Sequence, residues 1–256
     1  MNGIRAITPL IFVLLWSTGF IGAKYILPYA EPFVFLTIRY FFATLILVAL
    51  AKILKESLKI SKAAIKQSMI VAVFLHVIYI GGVFYAVSLG VSAGISAVIV
   101  SIQPVLVSIL AVPLLGERIR SVQVVGLVLG VAGIALLLLP KVFQGDYSSA
   151  ISEVGIVICV IALLGTSAGY LVQKKLGGDI PFLTGTGLQY AVSAVVFALL
   201  SALTEDQRVE WSPEFLFGLA WIVLMLSIGS IVLLYEMLRA GSASKVSSLY
   251  YLVPPV

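Results

Sequence analysis

The sequence predicts an all-α polytopic membrane protein, built as an inverted repeat of two five-helix units. Three observations carry that expectation. Apolar residues make up 61% of the 256-residue chain and charged residues 11%, for a mean hydropathy of +1.18. That is more apolar material than a soluble domain of this size can hide, so the bilayer is its solvent. The apolar residues also come in runs of the ~20 residues that a helix needs to cross the hydrocarbon core. Finally, residues 90–117, GVSAGISAVIVSIQPVLVSILAVPLLGE, return late in the chain as 241–256, GSASKVSSLYYLVPPV. Gly90 falls on Gly241, Ser96 on Ser247 and Pro104 on Pro255, a constant shift of 151.

Taken in order, the runs give eight full spans, at about 6–27, 32–51, 68–89, 92–115, 122–139, 154–173, 182–203 and 213–238. A ninth begins at Ser242 and has 15 residues when the sequence stops at Val256. The first span resembles a signal peptide in length, but it lacks a convincing cleavage site and more spans follow, so it is expected to be retained. The fourth carries Pro104 in mid-helix, where the freed carbonyl needs a partner from a neighbouring helix or side chain. In the fifth, Gly126, Gly130 and Gly133 form a small-residue face, for packing within the fold or as a dimer seam. Between spans two and three, the basic segment 52–67 is a topology-setting loop, or an amphipathic surface helix with Leu54, Leu58 and Ile65 toward lipid.

A second shift, of 149, puts Pro32-Phe33 on Pro181-Phe182 and Ser17-Thr18 on Thr166-Ser167. Spans one to five then correspond to spans six to ten. Five is odd, so the second unit enters the membrane from the opposite side, an arrangement that places a substrate site near the midplane between the halves. The units divide at residues 1–140 and 141–256. The first ends near Leu139, so its partner is expected to end near residue 290, and the chain reads as a fragment of a ten-span protein.

The net charge of +5 has no domain outside the membrane on which to gather, which argues against nucleic acid. It is sorted by side instead. Arg5, Lys52, Lys55, Lys59, Lys62, Lys66, Arg118, Arg120, Lys174, Lys175, Arg239 and Lys245 share one face, while Lys141 and Arg208 lie on the other. Short loops rich in Lys and Arg stay cytoplasmic, so the N-terminus is expected inside, in a cell (plasma or inner) membrane. The single cysteine, Cys159, lies inside a span and forms no internal disulfide.

The residues Trp16-Ser-Thr-Gly-Phe-Ile-Gly-Ala-Lys24, Glu31-Pro32 and Phe35-Leu-Thr-Ile-Arg39 resemble the opening of EamA-type members of the drug/metabolite transporter superfamily. Pro104…Leu115-Gly116-Glu117-Arg118 and Gly126-x-x-x-Gly130-x-x-Gly133 match the same pattern, although Ser17 stands where many relatives have glycine. The resemblance implies a ten-helix transporter of small metabolites, often an exporter, with no cofactor. It implies no particular substrate.

Candidate site residues follow from polarity at mid-membrane depth. Inversion through a midplane axis would bring Ser17-Thr18 and Thr166-Ser167 together as hydroxyl donors and acceptors for a polar substrate. The competing reading is that they bond backbone carbonyls and let helices pack. Trp16 is a candidate aromatic wall whose indole N–H wants a partner when buried. His76, the only histidine, has Tyr79 on its own face. It is a functional candidate as a buried ionisable group, or a neutral ring bonded to a neighbouring hydroxyl. Ser96 and Gln103 lie about two turns apart on one face, with Gln103 placed to bond either substrate or the carbonyl freed by Pro104. Tyr170 and Gln173 extend the face of Thr166. Arg39 and Lys24 lie near the outer ends of their spans, to snorkel, to bind helix ends, or to attract an anionic group. Glu236 is expected to pair with Arg239.

An enzyme is not expected. Gly94-Ile95-Ser96 has a Gly-x-Ser look, but a nucleophile needs a base within hydrogen-bond reach and the spacing to His76 does not supply one. There is no metal cluster and no phosphate loop. The sequence therefore predicts a secondary transporter, exporting small polar metabolites, amino acids or related compounds by alternating access, with a homodimer as an option for its assembly. Its rival is a non-transporting assembly partner or an inactive remnant.

Overall fold

The computed structural model of the chain describes residues 2–117, 119, 121–143, 152–176, 180–240, 246 and 248–252. Its elements are α1 (Asn2–Ile26), α2 (Pro32–Ile53), α3 (Lys62–Val71), a π-helical segment π1 (Ala72–Gly81) running into α4 (Gly82–Ser88), α5 (Ala93–Val100) and α6 (Gln103–Leu115). The second half holds α7 (Ser121–Phe143), α8 (Glu153–Leu176), α9 (Phe182–Thr204), α10 (Pro213–Trp221), a second π segment π2 (Ile222–Ser230) and α11 (Ile231–Ala240). A short 3₁₀ turn covers Ser248–Leu252. Seven of the resulting helical rods have the length and hydropathy to cross a membrane, and α7 is the eighth rod. This is the all-α polytopic membrane protein that the hydropathy requires.

Helix starts are set by serines. Ser61, Ser92, Ser152 and Ser212 each accept, through Oγ, the backbone N–H three residues on, at 3.1–3.2 Å. Such a cap satisfies one of the donors that a helix leaves unpaired. At its other end α6 stops on Gly116, whose φ of 67° is the left-handed geometry of a C-terminal cap. The fourth span is not one helix with a proline in its middle. It turns at Ser101–Ile102 and restarts at Gln103, so Pro104 occupies the first turn of a new helix, where no backbone donor is needed. Residues 56–61 are likewise not helical, which leaves the basic segment as a loop.

That loop supplies one of two reciprocal contacts. Glu56, just after α2, accepts the Thr184 N–H at the start of α9 at 2.8 Å. Glu205, just after α9, accepts the Phe33 and Val34 N–H groups at the start of α2 at 2.7 and 2.8 Å. A carboxylate at a helix N-terminus also complements the helix dipole. Each helix thus ends where the other begins, so α2 and α9 run antiparallel, and they form the most extensive packing pair in the molecule. Other contacts exchange in the same way: α1 packs on π2 and α8 on π1, while α2 packs on π2 and α9 on π1.

The small-residue face that matters lies on α8. A Cβ at Gly165 would stand 2.5 Å from Ile78 Cγ2, and one at Gly169 would stand 2.7 Å from Leu75. These glycines let α8 lie directly against π1. Among the described residues, a Cβ at Gly126 or Gly133 of α7 would meet nothing within 4 Å.

Candidate functional site

Where α1, α2, π1, α8, α9 and π2 converge, they enclose a cavity of about 50 Å³. Its wall includes Trp16, Phe20, Arg39, Tyr40, His76, Tyr79, Thr166, Tyr170, Tyr190, Ile222 and Leu226. The volume suits a few water molecules, well below the several hundred Å³ of a ligand-filled pocket. The wall is paired by position. Trp16 and Thr166, Phe20 and Tyr170, Tyr40 and Tyr190, and His76 and Leu226 all differ by 150 and all face the same space. Ala72 and Ile222, the first residues of the two π segments, also differ by 150. The register of the repeat through its cores is therefore 150, between the two shifts visible in the sequence. It makes Ser17 equivalent to Ser167.

A hydrogen-bonded relay crosses this site. The Tyr40 hydroxyl and His76 Nδ1 lie 3.2 Å apart, and His76 Nε2 lies 3.4 Å from Gln189 Oε1. Gln189 Nε2 in turn donates to Gln173 Oε1 at 3.2 Å. A neutral imidazole protonated on Nε2 satisfies every member, with Tyr40 donating to Nδ1 and Nε2 donating to Gln189. Tyr190 packs edge-on to the imidazole at 4.9 Å and donates through its hydroxyl to the Ser227 carbonyl at 2.6 Å. Arg39 is 6% exposed, donates from Nε to Ser227 Oγ at 2.9 Å, and places its guanidinium carbon 5.1 Å from the centre of the Tyr40 ring.

Of the ten residues singled out by sequence, Trp16, His76, Tyr79, Thr166 and Tyr170 line the cavity. Trp16 lines the wall together with Tyr79, and its ring packs against Phe12 with centroids 5.2 Å apart. The other five do not line it. Ser17 and Ser167 donate to the carbonyls of Val13 and Leu163, four residues back on their own helices, at 2.7 and 2.8 Å. Thr18 donates to the Leu15 carbonyl and accepts from Trp221 Nε1 at 3.1 Å, on a face turned away from the cavity. The expected meeting of four hydroxyls thus reduces to one. Thr166 Oγ1 is buried with no hydrogen-bond partner among the described residues. Ser96 accepts from the Cys159 thiol at 3.5 Å, and both His76 nitrogens are engaged elsewhere, so the two form no nucleophile–base pair. Gln103 is fully buried and neither amide atom is hydrogen-bonded among the described residues, the carbonyl freed by Pro104 included. Glu236 is exposed, and its expected partner Arg239 has a side chain outside the described residues.

Tyr40, Gln189, Tyr190 and Ser227 were not apparent from sequence. The signal for three of them was present, since a shift of 150 lays Arg39-Tyr40 on Gln189-Tyr190. Above the cavity the chain is clasped. Ala30 and Val209 form an antiparallel bridge, Glu31 Oε2 accepts the Arg208 N–H at 2.8 Å, and the Glu210 N–H donates to the Tyr29 carbonyl at 2.7 Å. Beside the clasp, a vestibule of about 520 Å³ is lined in part by Lys24, Glu31, Glu205 and Arg208.

Known proteins resemble this chain along nearly its whole length. A WAT1-related chloroplastic protein of Arabidopsis thaliana is 28% identical over 254 residues, covering 97% of this chain and 60% of its own length. The uncharacterized transporter YvbV of Bacillus subtilis is 28% identical over 250 residues, covering 94% of this chain and 77% of its own length. Protein PecM of Dickeya dadantii is 26% identical over 245 residues, covering 94% of this chain and 78% of its own. A solved crystal structure superposes with a TM-score of 0.73 over 99% of this chain and 86% of its own, at 18% identity, which speaks to the fold alone. The model of the EamA-like transporter family matches residues 4–139 and 153–256. With the family's pattern present along nearly its whole length, this chain belongs to the EamA-like transporter family of the drug/metabolite transporter superfamily.

Proposed function

We propose that the chain is a secondary transporter of small polar metabolites, amino acids or related compounds, that moves them outward across the cell membrane. The units 1–140 and 141–256 act as inverted halves that expose the central cavity to each side in turn, with the N-terminus in the cytoplasm. The observation that carries this reading is the pairing of cavity residues at a spacing of 150, with α2 and α9 antiparallel between them. A site on such an axis can be offered to either face by rocking one half against the other. The small volume fits a closed state, and the clasp at Ala30–Val209 is the seal on the outer side. Trp16, Tyr79, Thr166 and Tyr170 form the substrate wall, and His76 is a fixed, neutral member of it.

Counterflow in proteoliposomes tests the proposal, using labelled amino acids and related metabolites. Saturable exchange of at least one compound is expected, reduced by Trp16→Ala and abolished by Thr166→Trp, which fills the cavity. Exchange that ignores both substitutions would place the pathway elsewhere.

A further inference from the structure

We infer that the cavity takes an organic anion, a small carboxylate with an apolar or aromatic body, whose carboxylate seats on Arg39. The inference rests on the cavity being the transport site and goes further by fixing the charge of the cargo's head group. Arg39 stands seven residues after Pro32, about 10 Å along α2 from its start. A guanidinium carries five N–H donors in a fork that matches a carboxylate. Arg39 gives one of them to Ser227, and makes no other hydrogen bond and no ion pair among the described residues. A buried cation whose only partners are a hydroxyl and an aromatic face is costly, and an ionisable group inside a membrane marks a functional site by default.

The rest of the wall points the same way. It contains no Asp or Glu among the described residues, so nothing there neutralises Arg39 or holds a substrate ammonium by an ion pair. Tyr40, Tyr190, Trp16 and Phe20 line the cavity with aromatic carbon that suits an apolar body. Such rings also attract cations, but Arg39 beside them repels a second positive charge. The charge is one-sided as well. Gln189 stands at the position equivalent to Arg39, and Leu226 at that equivalent to His76. A symmetric cavity with one charged wall holds an anion in one orientation.

Three compounds that share a phenyl ring and differ in their head group test this: phenylpropionate, phenylalanine and phenethylamine. Equilibrium binding of each to the purified chain in detergent is measured for the wild type, Arg39→Gln, Arg39→Lys and Thr166→Trp. Phenylpropionate is expected to bind the wild type best. Arg39→Gln is expected to weaken it about tenfold or more and to erase its lead over phenethylamine, whereas Arg39→Lys keeps the preference for acid. An arginine that only ties α2 to π2 would lower all three together and leave the ranking intact. That unchanged ranking would overturn the proposal, as would wild-type binding of phenethylamine or phenylalanine at least as tight as that of phenylpropionate. The underlying reading fails separately. If Thr166→Trp binds all three like the wild type, the cavity is not the site. If Thr166→Trp loses all three while Arg39→Gln keeps the ranking, the cavity stands and the anion does not.

Discussion

Single polar residues in this protein divide by whether their hydrogen bonds are already spent. Ser17 and Ser167 are spent on their own helices, and Thr166, equivalent to Trp16, is not. Thr166→Val is therefore expected to leave unfolding in mixed micelles unchanged or shifted toward greater stability, because no bond is lost and a buried orphan hydroxyl is removed. The same variant should alter counterflow, which Ser167→Ala should not. The contact between Tyr40 and His76 makes a sharper prediction. A double-mutant cycle of Tyr40→Phe with His76→Phe should give a coupling of about 0.6 kcal/mol, and no more than about 1.7, the range for hydrogen bonds between membrane helices. The sequence exposed Trp16, His76 and Tyr79 because large polar groups at mid-span stand out against an apolar background. It concealed Tyr190 and Ser227, because a tyrosine or a serine in a span is common and only its neighbours make it part of a site.

At the scale of elements, two features set how the helices lie. Gly165 and Gly169 bring α8 onto π1 at a distance that admits no Cβ, so Gly169→Ala is expected to cost about 1–3 kcal/mol of stability. Gly126→Ala on the open face of α7 should be neutral or slightly stabilising, through higher helix propensity. The caps from Glu56 and Glu205 predict that either Glu→Ala change costs about 1 kcal/mol. The two costs should add in the double variant, since they act at opposite ends of the α2–α9 pair. Thermal unfolding in detergent measures all of these. The first eight spans were legible to within about six residues, since hydropathy runs follow bilayer thickness directly, whereas the ninth, expected from Ser242, lies largely outside the described residues. The two π segments and the break at Ser101–Ile102 were not, because they arise from packing between helices rather than from local composition. The regular spacing of Gly126, Gly130 and Gly133 makes the small-residue face of α7 visible in sequence, whereas that of Gly165 and Gly169 shows only once π1 is seen pressing on α8.

At the scale of the whole molecule, α2 and α9 cap one another from opposite ends, and the cavity wall is paired at a spacing of 150. Two shifts read from sequence, 149 and 151, bracket that register without finding it: the pairing of Ser17-Thr18 with Thr166-Ser167 matched hydroxyl to hydroxyl and fell one residue out of step with Trp16 and Thr166 in the same two helices. In the proposed transport cycle the clasp of Ala30 on Val209 opens at every turnover. Opposed residues of an antiparallel bridge have Cα atoms about 4.5–5.5 Å apart, within the range a disulfide spans. The direct test places cysteines at both positions in a Cys159→Ala background and follows counterflow of a compound that the wild-type chain exchanges. Oxidation should reduce counterflow to the level of empty liposomes, and reduction should restore it. Undiminished counterflow with the clasp covalently shut would mean that substrate does not pass through its opening.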